Sequence, residues 1–173
     1  MTFFVAMGLN PPVDLPYILQ SLGLTVLFVG LIGFERQRRN KIAGLTTHLL
    51  VAIGAAGITI VQQVMVFDNI TFIEQHIAEG TTDVLKYADL TIQRQRLVAQ
   101  IISGIGFLGT GTILKTQGHV SGLTTAATLW ICAMIGIIFG YGMYTIGIAV
   151  SLTTLFVLTI IKNFVRYNID EQH

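Results

Sequence analysis

Charge is what this sequence most lacks. Of its 173 residues only 11% are charged, against about 25% in an average soluble domain. That shortage excludes a water-soluble globular domain, a disordered tail and a nucleic-acid-binding module, which need charged surfaces or basic patches. Ten Lys and Arg against nine Asp and Glu leave a net charge of +1, so no global bias selects an anionic partner. Cysteine is almost missing as well. Cys132 alone excludes an intrachain disulfide framework and any Cys-based zinc site. What is abundant is apolar: 53% of the residues are hydrophobic and the mean hydropathy is +0.72. The length suits one domain, residues 1–173.

The apolar residues come in runs. A hydrocarbon core of about 30 Å needs roughly 20 apolar residues of helix. The first such run extends from about Leu15 to Phe34 and stops at Glu35. The second covers about Gly44 to Phe67, and the third about Leu97 to Leu114, ending at Lys115. From Leu123 to Ile161 no residue is charged. As one helix that stretch would be about 58 Å long, so it must break, and Gly140-Tyr141-Gly142 is the place. A fourth span then ends near Phe139 and a fifth covers about Tyr144 to Ile161. The fold class predicted is all-α: a polytopic membrane protein of five transmembrane helices.

Lys and Arg in short loops set the orientation. Arg36, Arg38, Arg39, Lys41, Lys115, Lys162 and Arg166 fall on one side, and Lys86, Arg94 and Arg96 on the other. Seven against three predicts an outside N-terminus and a cytoplasmic C-terminus. The N-terminal stretch has no basic region before the first span and does not read as a cleaved signal peptide.

The chain also repeats itself. Gly44-Leu-Thr-Thr47 recurs as Gly122-Leu-Thr-Thr125, and each copy is preceded by Ile-Gly-Phe, at Ile32–Phe34 and Ile105–Phe107. The halves, about 15–67 and 97–142, cross in the same direction, which makes a parallel two-helix repeat with an extra span at about 144–161. Each GLTT lies at a helix start. Its Thr hydroxyls can accept from first-turn amides that lipid leaves unsatisfied. Alternatively, the two copies line facing half-sites.

These segments resemble the MgtC/SapB family of bacterial inner-membrane proteins. The resemblance rests on GFERQRRNKIAGLTTHLLVAIGAA (Gly33–Ala56), RLVAQIISGIGFLGTGTIL (Arg96–Leu114) and GLTTAATLWICAMIGIIFGYGMY (Gly122–Tyr144). The family's Glu-Arg pair falls on Glu35 and Arg36, its Arg before Ala-Gln on Arg96 before Ala99 and Gln100, and its glycine-rich third span on Gly104, Gly106, Gly109 and Gly111. Thr46 stands where the family has Arg, followed by Thr47 and His48, which removes a charge from that loop. The chain resembles the family's membrane domain without the soluble C-terminal domain of its virulence members. The resemblance implies a bacterial inner-membrane location and a role in adaptation to low magnesium or host-cell stress, through regulation of another membrane protein.

Several side chains are candidates for that role. Glu35 and Arg36 close the first span, either as a membrane-edge pair or with Glu35 turned inward to a basic group. His48 lies one turn inside the second span, placed to hydrogen-bond a neighbouring helix, sense protons or bind a metal. Gln100 is placed to glue helices. Thr46, Thr47, Thr124 and Thr125 belong to the repeated segment, and Arg96 reads as an interfacial anchor, a salt-bridge partner for Asp89 or a structural brace required for folding. Gly104, Gly106, Gly109 and Gly111, with Gly136 and Gly140, read as helix-packing positions, within one chain or in a homodimer. The loop from Asp68 to Gln95 carries five acids and two bases, a net −3. Ile70, Ile73 and Ile77 predict a short surface helix there, with His76, Glu79 and Asp83 on one face as weak magnesium or calcium ligands.

No phosphate loop, Ser-His-Asp order or metal-protease helix occurs. Gly104-Ile-Gly-Phe-Leu-Gly109 fits a dinucleotide fingerprint only formally, because it lies inside a span. The sequence therefore predicts a non-enzymatic protein without a cofactor, whose partners are the lipid bilayer and another membrane protein. The alternative is a small inorganic-cation transporter or channel, for magnesium, built on the repeat.

Overall fold

The computed structural model describes residues 13–78, 84–116 and 119–161, with side-chain surroundings for 13–66, 96–115 and 119–160. Five helices stand where the five apolar runs lie. They are α1 (Leu15–Arg38), α2 (Leu45–Ala78), α3 (Val84–Thr110), α4 (Leu123–Gly140) and α5 (Tyr144–Phe156), the last continued by a π-helical turn, Val157–Ile161. α1, the Leu45–Val66 part of α2, and α4 are long and apolar enough to cross a membrane; Arg96–Thr110 and Tyr144–Ile160 are shorter apolar segments. The protein is thus an all-α polytopic membrane protein.

Local chemistry places the breaks. Asp14 caps α1, its Oδ1 accepting from the Tyr17 amide at 2.9 Å, and Pro16 sits in the first turn, where its missing N–H costs nothing. α1 ends at Asn40, which takes a left-handed φ of +49°. The Lys41 amide reaches back to the Arg36 carbonyl and the Asn40 amide to that of Gln37, a Schellman closure. The same closure ends α4: Gly142 has φ +72°, Met143 donates to Ile138 and Gly142 to Phe139. The break expected at Gly140–Gly142 is therefore found, and it satisfies carbonyls that lipid could not.

Two boundaries differ from expectation. The third apolar run does not stay helical to Leu114. It stops at Thr110, and a small antiparallel hairpin follows, with Leu114 opposite Ser121 and Thr116 opposite His119. The adjacent Gly109 and Gly111 have weak helix propensity, and the Thr112 hydroxyl bonds the Gly109 carbonyl, which competes with further helix. The segment from 68 to 95 is not a loop with a short surface helix. Its described residues continue α2 to Ala78 and begin α3 at Val84. At 34 residues, α2 is about 50 Å long, more than a membrane core requires. Glu79 and Asp83 lie outside the described residues, as does the side chain of His76.

α2 and α4 form the centre. Along α2, His48, Ala52, Ala55, Thr59 and Gln62 are all buried, one face at helical spacing. The facing stripe of α4 carries Thr125, Thr128, Cys132, Ile135 and Phe139, also buried. The two backbones nearly touch. A Cβ on Gly136 would lie 2.2 Å from the Ala52 carbonyl oxygen, and one on Gly140 would overlap Thr59 Oγ1. α1 covers this pair with Val29 and Ile32, and Phe28 stacks on Phe139 at 5.8 Å. α5 is seated over the Phe139 ring by Gly147, where a Cβ would meet the ring at 2.4 Å. α3 packs on α4 through Ile105, which joins Ala133 and Ile137, and through Gly109, which rests on Ala126.

Lipid gives no hydrophobic drive for helices to associate, so close packing must hold them together. Gly136→Ala is therefore expected to destabilise the fold by about 1–3 kcal/mol, read as a lower unfolding midpoint in mixed micelles. Gly54→Ala, at a position where a Cβ meets nothing within 4 Å, is expected to leave that midpoint unchanged.

Candidate functional site

The ends of α1 and α3 and the starts of α2 and α4 share one end of the bundle. Gly33 makes this possible, lying so close to Leu45 that a Cβ would sit 2.9 Å from the Leu45 Cα. Here the sequence candidates separate into two groups. Arg36, His48 and Thr125 turn inward and are buried. Thr46, Thr47 and Thr124 face outward and are exposed.

The buried group forms one polar chain across three helices. Arg36 is 0% exposed, and its Nη2 donates to Thr125 Oγ1 at 2.8 Å. The Thr128 hydroxyl lies 2.9 Å from the Thr125 carbonyl and 3.2 Å from His48 Nε2. His48 Nδ1 lies 2.7 Å from the Gly44 carbonyl. A carbonyl only accepts, so Nδ1 carries a proton. In the neutral ring Nε2 is then the acceptor, and it competes with the Thr125 carbonyl for the single Thr128 proton. His48 thus meets the neighbouring α4 at Thr128, with Nε2 the acceptor in the neutral ring. The Arg36–Thr125 and His48–Thr128 bonds each tie a residue of the first half of the chain to the second GLTT copy or the turn after it.

Glu35 neither pairs with Arg36 nor reaches α3. It makes an ion pair with Arg39 one turn on, at 2.5 Å, an i,i+4 arrangement legible in the sequence. Its two oxygens are buried and accept no well-aligned hydrogen bond. The GLTT threonines do not cap their helices in the expected way either. The α2 amide at Leu45 donates to Gln37 Oε1, 3.1 Å away, a role with no signal in the sequence. α4 starts at Gly122, with φ +90° and no side-chain cap. A Cβ there would strike the Thr112 carbonyl at 1.8 Å, so only glycine fits.

Of the packing glycines, Gly136 and Gly140 hold α2 against α4, and Gly109 holds α3 against α4. Gly104 and Gly106 face open space, so of the two alternatives, packing within one chain or in a homodimer, these glycines make no contact within the chain. The same outward turn leaves Gln100 and Arg96 exposed. Gln100 therefore glues no helices within the chain, and Asp89 lies among the residues whose side chains are outside the description. Among the described residues no group of three or more His, Cys, Asp or Glu could hold a metal.

A second polar cluster at the opposite end was not anticipated. Tyr17 donates to the Gly140 carbonyl at 2.8 Å, Ser21 meets the Tyr144 hydroxyl at 3.2 Å, and Tyr141 donates to Gln62 Oε1 at 2.8 Å. The aromatic-rich ends of these spans were its only sequence signal. Between the two clusters lie Val29, Ile32, Ala52, Cys132, Ile135 and Phe139, an apolar layer.

The Arg36–Thr125 bond is a buried bond to a charged group, of the kind worth about 1.5–3 kcal/mol. A double-mutant cycle of Arg36→Met and Thr125→Val, read by unfolding in mixed micelles, is expected to return a coupling energy in that range. A coupling near zero would show that the guanidinium does not depend on Thr125.

Comparison with known proteins gives this architecture relatives. The sequence profile of the MgtC family matches residues 22–167. The chain is 39% identical over 137 residues to the protein named putative magnesium transporter YhiD of Escherichia coli K12, covering 79% of this chain and 57% of that one. It is 37% identical over 134 residues to Protein MgtC of Brucella abortus strain 2308, covering 78% and 45%. It is 39% identical over 140 residues to Protein MgtC of Salmonella typhimurium strain LT2, covering 81% and 50%. The chain thus spans about half the length of these relatives. No solved structure matches it. With its helices, paired GLTT segments and Glu35-Arg36 pair placed as described, the chain belongs to the MgtC family of membrane proteins.

Proposed function

We propose that this protein is a non-enzymatic regulator in the bacterial inner membrane that binds a partner membrane protein through α3. The observation that carries the reading is the outward face of that helix. Ala99, Ser103, Gly106 and Thr110 recur at i, i+4, i+7 and i+11, and all four are exposed. Beside them lie Gln100 and Gly104. Small residues let a second helix approach closely in lipid, and Gln can bond across such a contact. The glycines Gly136 and Gly140 of α4 and Gly147 of α5 are already used inside the chain, by Ala52, Thr59 and Phe139, whereas Gly104 and Gly106 of α3 meet nothing within 4 Å.

The mechanism is differential packing. A helix of the partner that fits the α3 groove in one conformation and not in another is shifted toward the first by the difference in affinity. The conditions implied are low magnesium or host-cell stress, with the Arg36 end in the cytoplasm. A homodimer through α3 would compete with the partner for the same face.

The alternative is transport of an inorganic cation, the activity in the printed name of the YhiD relative. It requires a polar route. The apolar layer between the two polar clusters supports regulation instead.

Affinity capture from mild detergent is expected to recover a membrane partner in stoichiometric amount with the native chain. Ser103→Leu with Gly106→Leu is expected to reduce that recovery about tenfold or more, a loss of about 1.4 kcal/mol or more, at unchanged membrane level. Magnesium flux by the purified chain in liposomes, lost on Glu35→Gln, would replace this reading with the transporter.

A further inference from the structure

We propose that Arg36 and the first turn of α4 form a binding site for a phosphate-type oxyanion. Three observations converge there. The first is a shortage of acceptors. Arg36 Nη2 is bonded to Thr125, but Nε and Nη1 are buried without any hydrogen-bond partner. Unpaired buried donors are costly, and more so on a cation.

The second is the start of α4 itself. Thr125 is its third residue, so the guanidinium stands at the level of the helix's first turn. The early amides of a helix have no partner within it, and Gly122 supplies no side chain to cap them. At α2 the corresponding end is closed by an acceptor, Gln37 Oε1. At α4 the side chain in that place is a donor. The positive end of the helix dipole and a buried cation therefore stand together, with no carboxylate bonded to the guanidinium among the described residues. Donors alone demand a ligand that only accepts, and a helix amino end beside an arginine fork is a geometry that suits phosphate.

The third is the charge balance of this end of the bundle. Its described acids and bases are Glu35 against Arg36, Arg38, Arg39, Lys41 and Lys115. Glu35 is taken by Arg39, and Arg38 lies over the Phe34 ring at 5.9 Å. Among the described residues no carboxylate hydrogen-bonds the Arg36 guanidinium. Thr124, next in sequence to the Thr125 that bonds the guanidinium, is exposed, so the anion enters along the first turn of α4. The charge that Thr46 does not supply is not needed, because Arg36 brings it from α1.

The site lies at a span end, the depth at which lipid phosphates lie, and a free phosphate presents the same oxygens. Two arms distinguish these sources. In the first, inorganic phosphate is titrated into the purified full-length chain in detergent at constant ionic strength, and the unfolding midpoint is followed. In the second, phosphatidylglycerol retained by the chain is measured by native mass spectrometry against diacylglycerol, which has no phosphate. A midpoint rising with phosphate identifies the free anion, and selective retention of phosphatidylglycerol without that rise identifies the headgroup. Arg36→Gln is expected to weaken whichever binding is seen by about tenfold or more. Thr124→Glu, at an exposed position, puts a tethered carboxylate at the helix start. It is expected to raise the midpoint without phosphate and to abolish the response to either ligand. The site is disproved if the native chain responds to neither ligand, or if Arg36→Gln or Thr124→Glu binds as well as native.

Discussion

The near-contact of the α2 and α4 backbones, with the Ala52 carbonyl against Gly136, is the constraint from which the rest of the structure follows. No side chain other than hydrogen fits between them. In lipid such proximity gives the dispersion that the hydrophobic effect cannot supply. It also fixes the rotation of both helices. With Ala52 on Gly136 and Thr59 on Gly140, the residues toward the other end of each stripe must also face inward, so His48 meets Thr128 and Thr125 meets Arg36.

That geometry explains why an arginine is buried in a protein with so few charges. Arg36 is carried inward because it shares the α1 face of Val29 and Ile32, which packs on the central pair. Its burial is compensated in part by Thr125. The neighbouring carboxylate turns to Arg39 along its own helix instead of crossing the peptide bond to Arg36. The result is a bundle end rich in donors, with a capped α2 and a side-chain-free start to α4. The two GLTT copies are alike in sequence and different in use. In the first, Gly44 leaves room for Gln37 and its carbonyl receives His48. In the second, Gly122 turns the chain against Thr112 and leaves the helix start open.

α3 stands apart from this logic. It reaches the bundle through Ile105 and Gly109, while Ala99, Ser103, Gly106 and Thr110 face outward. A helix with three glycines in its last third gains little from intrinsic propensity. Its small residues are productive only where another backbone can approach, and within the chain that happens at Gly109 alone. The opposite end, where Tyr17, Tyr144 and Tyr141 bond across helices, completes a molecule with polar clusters at both ends and an apolar cluster between them.

The sequence by itself determined the solvent, the number of helices and the break after α4. Length of apolar run and scarcity of charge suffice for the first two, because a membrane core has a fixed thickness. Gly142 marks the α4 break because it takes positive φ without strain. The continuation of α2 and α3 through residues once read as a loop was not legible, since polar side chains do not forbid helix. Only the tertiary structure decided which of several equivalent residues face inward. Thr124 and Thr125 are identical in type and adjacent in sequence, yet one is exposed and the other holds Arg36. Gly104 and Gly136 carry the same chemistry, yet one meets open space and the other a carbonyl. A helix turns by about 100° per residue, so orientation is set by the neighbours it packs against, and composition does not carry that information.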